Sequence, residues 1–318
     1  MRHPIHFAEQ PRRNYLPLAL TALALLTIFA CDRREPAQRS STTTDQPVVA
    51  QPVVESPVVA STPSYENVTY EQAESSFTAR RYDEATEMFA AYVARRPKNP
   101  FGHYMLGLSA WKAGQLPRAR ESFERALELD STHVKSLLNL SRVLLELKEP
   151  REASVRVAAA LQIDSSSGET HRLMGRVKSA LGEPESAIES YRAALTIDAH
   201  DVWAMNNMGV LLIELGRFEE ALRPLARAVQ LDSGVAVFRN NLGMALERTG
   251  HFVAAAESYR AAVAIDPGYA KASSSLGRIE GRGDDPLAQP IDIGLLADDF
   301  VSEIETWKTG RVAVTPET

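Results

Sequence analysis

Small and bulky apolar residues recur along most of the chain at a fixed spacing of 34 residues. One column contains only alanine: Ala85, Ala119, Ala153, Ala187, Ala221 and Ala255. A second column contains bulky apolar residues: Phe89, Phe123, Val157, Tyr191, Leu225 and Tyr259. A third contains small residues: Ala73, Gly107, Ser141, Gly175, Gly209, Gly243 and Gly277. Self-similarity at one period is the signature of a repeat protein, and it takes precedence over any local assignment of secondary structure.

Each repeat is predicted to contain two helices joined by short turns. Ala119, Phe123 and Ala126 step by four and three residues, which places their side chains on one face of a helix. Four mid-repeat glycines are typical of helices that end on a left-handed residue: Gly114, Gly182, Gly216 and Gly250. Five aspartates between repeats are typical of turns: Asp130, Asp164, Asp198, Asp232 and Asp266. We expect the small column to face the alanine column, and stacked units to bury one continuous core.

These columns resemble the tetratricopeptide repeat family, which places small residues, alanines and an aromatic residue at these repeat positions. The resemblance implies an all-α fold, a right-handed α-solenoid of six helix hairpins followed by a capping helix. In this register the solenoid covers residues 65–281, with repeats at 66–99, 100–133, 134–167, 168–201, 202–235 and 236–269 and a cap at 270–281. Tyr92, Val157 and Leu225 depart from the family pattern, and the third repeat lacks the mid-repeat glycine.

Residues 1–30 resemble the signal peptide of a bacterial lipoprotein. Two adjacent arginines precede an uncharged apolar run over residues 16–30, which is shorter than the ~20 residues that a membrane-spanning helix needs. The run ends in Ile-Phe-Ala-Cys, which resembles a lipobox and makes Cys31, the only cysteine, the predicted lipidation site. An uncleaved anchor helix is the alternative. Asp32 resembles an inner-membrane retention signal, so we expect a lipid-anchored periplasmic domain, with the inner membrane favoured over the outer.

Residues 31–64 are predicted to form a tether. Pro-Val-Val triplets begin at Pro47, Pro52 and Pro57. Proline at this spacing blocks helix formation and favours extended polyproline II structure. The segment is interpreted either as a spacer that lifts the repeats off a membrane or as disordered filler, and both interpretations give the same mechanics.

Residues 282–318 are predicted to form a linker and an acidic amphipathic helix. Apolar side chains recur at helical spacing and end near a glycine: Ile293, Leu296, Phe300, Ile304, Trp307 and then Gly310. Three placements of this helix are open. It packs on the end of the solenoid, it occupies a basic groove beside Arg172 and Arg176, or it docks on a partner.

The resemblance also implies that the first helices line a concave groove that holds a peptide or protein partner. Family ligand positions correspond here to Tyr70, Phe77, Phe101, Tyr104, Trp111, Lys135, Arg142, Arg172, Arg176, Trp203, Asn206, Val210, Asn240, Met244, Lys271 and Arg278. We interpret this set as an aromatic entrance and a basic middle that suit an acidic segment. Asn139, Asn207 and Asn241 resemble the asparagine ladder of O-GlcNAc transferase, whose amides bind peptide backbone. Ordinary variation on an exposed helix face is the alternative.

Charge and motifs argue against other classes of function. The net charge is −6, which gives no overall attraction for nucleic acid. The sequence contains no phosphate-binding loop and no metal-binding or catalytic motif, so we expect neither a cofactor nor enzyme activity. His103 and His171 share repeat position four and are expected to be structural.

The function predicted from these patterns is a membrane-tethered adaptor or scaffold that binds a protein partner. Two alternatives stay open: a pilotin-like assembly factor for an envelope machine such as a type IV pilus, and a regulatory subunit of an enzyme complex. The sequence leaves the oligomeric state open.

Overall fold

The computed structural model describes residues 65–310, and all regular secondary structure in this range is helical. Its fourteen helices are α1 (Tyr70–Thr78), α2 (Tyr82–Arg95), α3 (Pro100–Lys112), α4 (Leu116–Leu129), α5 (Val134–Glu146), α6 (Pro150–Ile163), α7 (Gly168–Ala180), α8 (Pro184–Ile197), α9 (Val202–Glu214), α10 (Phe218–Leu231), α11 (Ala236–Arg248), α12 (Phe252–Ile265), α13 (Ala270–Ile279) and α14 (Ile293–Thr309). None of these helices is long and apolar enough to cross a membrane. The predicted signal peptide, the lipidation of Cys31 and the tether lie outside the described residues.

Helices α1 to α12 form six hairpins that stack in chain order. In each hairpin an odd-numbered first helix packs along an even-numbered second helix, which then packs on the first helix of the next hairpin. From α3 to α11, successive first helices also contact one another, whereas successive second helices stay farther apart. The predicted α-solenoid of helix hairpins is confirmed. We name the surface of α1, α3, α5, α7, α9, α11 and α13 the first-helix face, and that of α2, α4, α6, α8, α10 and α12 the second-helix face.

The repeated columns form the interior of the stack. All six residues of the alanine column are fully buried. Ser141 Oγ lies 3.4 Å from the carbonyl oxygen of Ala153, as expected if the small column faces the alanine column. The bulky column lies closer still, because a Cβ atom added to Gly107 would stand 2.7 Å from Phe123 Cδ1. The small column therefore lets the bulky side chains pack directly against the first helix.

The turn inside each hairpin depends on one left-handed residue. The four predicted glycines have φ between 75° and 84°. Arg80 and Lys148 occupy the same repeat position in the other two hairpins and have φ of 60° and 64°. The third repeat therefore keeps the family turn without glycine, at the steric cost that a Cβ atom carries in this conformation.

The turns between repeats follow the aspartate column. In each of the five turns the aspartate Oδ1 accepts a hydrogen bond from the main-chain N–H two residues later, as predicted: Asp130, Asp164, Asp198, Asp232 and Asp266. Where the first repeat has Tyr92 in place of alanine, the facing residue is Gly102, whose added Cβ would meet the Tyr92 ring at 3.0 Å. The large residue and the missing side chain compensate for one another.

Helix α14 lies on the second-helix face, where it packs against α10 and α8. Its buried residues are Ala297, Phe300 and Ile304. Arg223 Nη1 is 2.6 Å from Glu303 Oε1, and the Arg192 guanidinium lies 5.2 Å from the centre of the Trp307 ring. Two predicted placements are thus wrong: the helix neither sits at the end of the stack nor occupies the first-helix face.

The reason for this placement is a local change in the second-helix face. In α10 the outward residues Leu222 and Ala226 are apolar, whereas the equivalent positions of α4 are Arg120 and Glu124. Glu303 of α14 pairs with Arg223 of α10 rather than with an arginine of the groove. Leu222 and Ala226 become buried beneath the docked helix.

The predicted linker before α14 is also held in place. Asp284 Oδ1 accepts the main-chain N–H of Val253 at 2.8 Å, and the Arg282 guanidinium lies 3.8 Å from the centre of the Phe252 ring. His251 Nε2 lies 2.7 Å from the carbonyl oxygen of Gln289. These contacts attach residues 280–292 to the start of α12, so the chain reaches the second-helix face along a defined path.

Candidate functional site

The first-helix face carries the exposed aromatic rings of the described residues. Phe101 is 46% exposed and Trp203 is 48% exposed, and the other Phe, Trp and Tyr side chains within residues 65–310 are buried or half-buried. Both occupy repeat position two, at the start of α3 and α9. Because apolar aromatic surface is costly to leave in water, its confinement to one face marks that face as a candidate binding surface.

The amino-terminal part of this face is an aromatic cluster. Tyr70 and Phe101 have ring centres 5.8 Å apart, and Phe101 stacks on Tyr104 at 5.7 Å. Burial, followed by the nearby Glu74 carboxylate, raises the pKa of Tyr70 to about 12. Two other predicted aromatic residues contact neighbouring side chains. Phe77 packs on Tyr82, and Trp111 Nε1 donates a hydrogen bond to Glu146 Oε1 at 2.9 Å.

Two of the four cations of the predicted basic middle are paired with carboxylates of the same chain. Arg142 Nη2 lies 2.5 Å from Glu169 Oε1, and Arg172 Nη1 contacts both carboxylate oxygens of the buried Asp201 at 2.5 and 2.7 Å. The first pair joins α5 to α7, and the second joins α7 to the N-cap residue of α9. Arg142 and Arg172 therefore link successive first helices. Within residues 65–310, Lys135 and Arg176 are the cations of this region that form no ion pair.

The asparagines of α9 and α11 bond mainly to one another. Asn240 Nδ2 donates to Asn241 Oδ1 at 3.2 Å, and Asn241 Nδ2 donates to Asn206 Oδ1 at 2.8 Å. Asn206 Nδ2 then reaches Asn207 Oδ1 at 3.5 Å. Three of the four are buried, and only Asn207 is half-exposed. Binding of peptide backbone by these amides stays a prediction, and Asn207 is the amide best placed for it.

A depression of about 220 Å³ lies between α7 and α9 on the first-helix face. It is lined by Arg176, Ser179, Ala180, Tyr191, Asn207, Val210, Leu211 and Glu214. Arg176, Asn207 and Val210 were predicted to lie in the groove, whereas Tyr191, a residue of the bulky core column, was not. The repeat position of Tyr191 predicts only that its ring is buried. The hydroxyl of a tyrosine can still reach solvent when its ring is buried, and the sequence pattern does not indicate this.

Three histidines near the first helices have structural partners. His103 Nε2 and His171 Nε2 lie 3.0 and 2.9 Å from the carbonyl oxygens of Pro97 and Ser165, in agreement with the predicted structural role. Burial lowers the pKa of His133, whose ring packs on Tyr104. Residues 65–310 contain no group of three or more His, Cys, Asp or Glu side chains that could hold a metal ion.

Two family models match the chain, and both describe the tetratricopeptide repeat. One matches residues 172–236 and 206–270, and the other matches residues 110–177. Together they span residues 110–270, half of the chain. No curated protein matches the sequence.

Several solved structures are similar in fold. A thermophilic TPR protein from Thermus thermophilus shares 18% sequence identity, with a TM-score of 0.51 over 57% of this chain and 98% of that chain. The Cut9–Hcn1 hetero-tetramer of the APC/C shares 16% identity, with a TM-score of 0.51 over 66% of this chain and 48% of that chain. YrrB, a TPR protein with an unusual peptide-binding site, shares 23% identity, with a TM-score of 0.44 over 60% and 98%.

Proposed function

Because the chain belongs to the tetratricopeptide repeat family, we propose that it is a protein-interaction scaffold that holds a peptide or protein partner on its first-helix face. The observation that carries this proposal is the position of the two exposed aromatic rings, Phe101 and Trp203, on that face. Aromatic anchors of this kind provide large contact area at low entropic cost and dominate the energetics of many interfaces. The proposal assigns no chemical reaction to the chain.

Helix α14 supports the choice of face. It covers apolar residues of α8 and α10, so the chain itself occupies that part of the second-helix face. The first-helix face keeps Phe101, Trp203 and Met244 exposed, and none of the helices in residues 65–310 lies across it. We therefore expect a partner to find its aromatic contacts on the first-helix face.

The test is affinity capture with the full chain and a matched pair of variants. The double variant Phe101→Ala, Trp203→Ala removes both anchors, and Val155→Ala removes an apolar side chain that is 65% exposed on the second-helix face. We expect the double variant to lose the captured partner by roughly tenfold or more, since truncating one interface anchor commonly costs about 2 kcal/mol. Val155→Ala is expected to retain it. Loss of the partner from Val155→Ala alone would reject the proposed face.

We further propose that the scaffold is tethered to a membrane through a lipid on Cys31. The lipobox-like sequence and the short apolar run before it support this part. Metabolic labelling with an alkyne fatty acid should mark the chain and fail to mark Cys31→Ala. Labelling that survives the substitution would reject the anchor.

A further inference from the structure

The depression between α7 and α9 exposes hydrogen-bond donors that have no acceptor in the described chain. Arg176 forms none of the ion pairs found within residues 65–310. Tyr191 is 2% exposed, and its hydroxyl makes no hydrogen bond within this range yet is not sealed from solvent. The Nδ2 of Asn207 likewise donates to no acceptor in this part of the chain. Three donors of different helices thus line one small space.

The same repeat position in the sixth hairpin shows what such a tyrosine binds. The Tyr259 hydroxyl donates to Glu247 Oε2 at 2.9 Å, and Arg278 Nη2 lies 2.7 Å from the same oxygen. In the fourth hairpin the residue equivalent to Glu247 is Ser179. The tyrosine is therefore repeated while its carboxylate partner is missing, and Arg176 stands beside the empty place.

We propose that this depression is a carboxylate-binding subsite, in which Arg176, Tyr191 and Asn207 bind an Asp, Glu or C-terminal carboxylate of the partner. The inference rests on the proposed function and names the chemistry that the first-helix face recognises at one point. A guanidinium, a phenol and an amide all donate, and a carboxylate offers about four acceptor sites to satisfy them. A volume of about 220 Å³ is large enough for a side-chain carboxylate.

The carboxylate of Glu214 lines the same depression and opposes the proposed ligand. Burial raises the pKa of Tyr191, so the phenol keeps its proton and remains a donor at neutral pH. Of the charged neighbours, Arg176 acts on Tyr191 more strongly than Glu214 does. Arg176 should attract an anionic ligand and Glu214 should repel it. Removing each charge should therefore change the affinity in opposite directions.

The test uses the detergent-solubilised full chain and two small probes, N-acetylglutamate N-methylamide and its neutral glutamine analogue. Binding is followed by NMR through the Arg176 Nε–H and Asn207 Nδ2–H signals. We expect a saturable shift with the glutamate probe only. Arg176→Gln should lower the association constant about tenfold and Tyr191→Phe about threefold, whereas Glu214→Gln should raise it about threefold. Tyr259→Phe and Arg125→Gln, a distant tyrosine and a distant exposed arginine, should leave it unchanged.

Three results would overturn the inference: equal response to both probes, no saturable shift in either the native chain or Glu214→Gln, or tighter binding by Arg176→Gln. The last would show that Arg176 does not attract the anionic probe. Each of these leaves the affinity capture with Phe101 and Trp203 unaffected, so the subsite can fail while the scaffold function stands. Conversely, capture that ignores Phe101 and Trp203 rejects the scaffold face whatever the probes show.

Discussion

At the scale of single residues, the left-handed position of each hairpin turn shows how far a pattern predicts structure. Four glycines at one repeat position predicted the turn, and φ values above 70° confirm it. Arg80 and Lys148 could not be predicted to share it, because local propensity disfavours a left-handed residue with a Cβ atom. The stacking of neighbouring repeats overrides that propensity and imposes the conformation.

Replacing Lys148 with glycine should stabilise the protein by about 0.5–1 kcal/mol. Glycine removes the steric strain of the left-handed conformation, and the greater entropy of glycine in the unfolded chain offsets part of this gain. The measurement is the urea midpoint of unfolding, which should rise. Lys178→Gly is the matched control. It lies in the last turn of α7 with ordinary helical geometry and should lower the midpoint. A midpoint that falls for Lys148→Gly would show that the lysine side chain contributes more than its backbone costs.

At the scale of elements, the period of the columns gave the helix hairpins, whereas the position of α14 did not follow from its own sequence. An amphipathic helix shows which of its faces is buried but not what buries it. The informative signal was elsewhere, in Leu222 and Ala226, where α10 departs from the charged surface of α4. Such a signal is readable only after the repeats are superposed and their outward positions are compared.

Removing the central contact of α14 should loosen the helices under it and leave distant repeats unchanged. Phe300 is fully buried against the α8–α10 surface, so Phe300→Asp places a charge in an apolar site and should detach α14. Hydrogen exchange should accelerate in α8 and α10 and remain unchanged in α4. Glu303→Gln, which removes only the exposed ion pair with Arg223, should change exchange little. Unaltered protection of α10 in Phe300→Asp would contradict the observed docking.

At the scale of the whole molecule, the first-helix face carries less free positive charge than the sequence pattern predicted. Of the aromatic positions, Tyr70, Phe101 and Tyr104 lie together. The basic middle is reduced because Glu169 and Asp201 of the following turns and helices neutralise Arg142 and Arg172. These partners stand 27 and 29 residues away, and no helical or repeat spacing within one unit indicates them. Charge on a stacked surface depends on contacts between repeats, which a linear pattern does not contain.

The central claim is that a protein partner lies on the first-helix face, and photo-crosslinking tests it most directly. The photoreactive residue p-benzoylphenylalanine is placed at Phe101 or Trp203 on that face, or at Val155 on the second-helix face, and the full chain is irradiated in cells. We expect one common partner to be linked from positions 101 and 203 and not from position 155. A partner linked from position 155 and from neither of the others would contradict it.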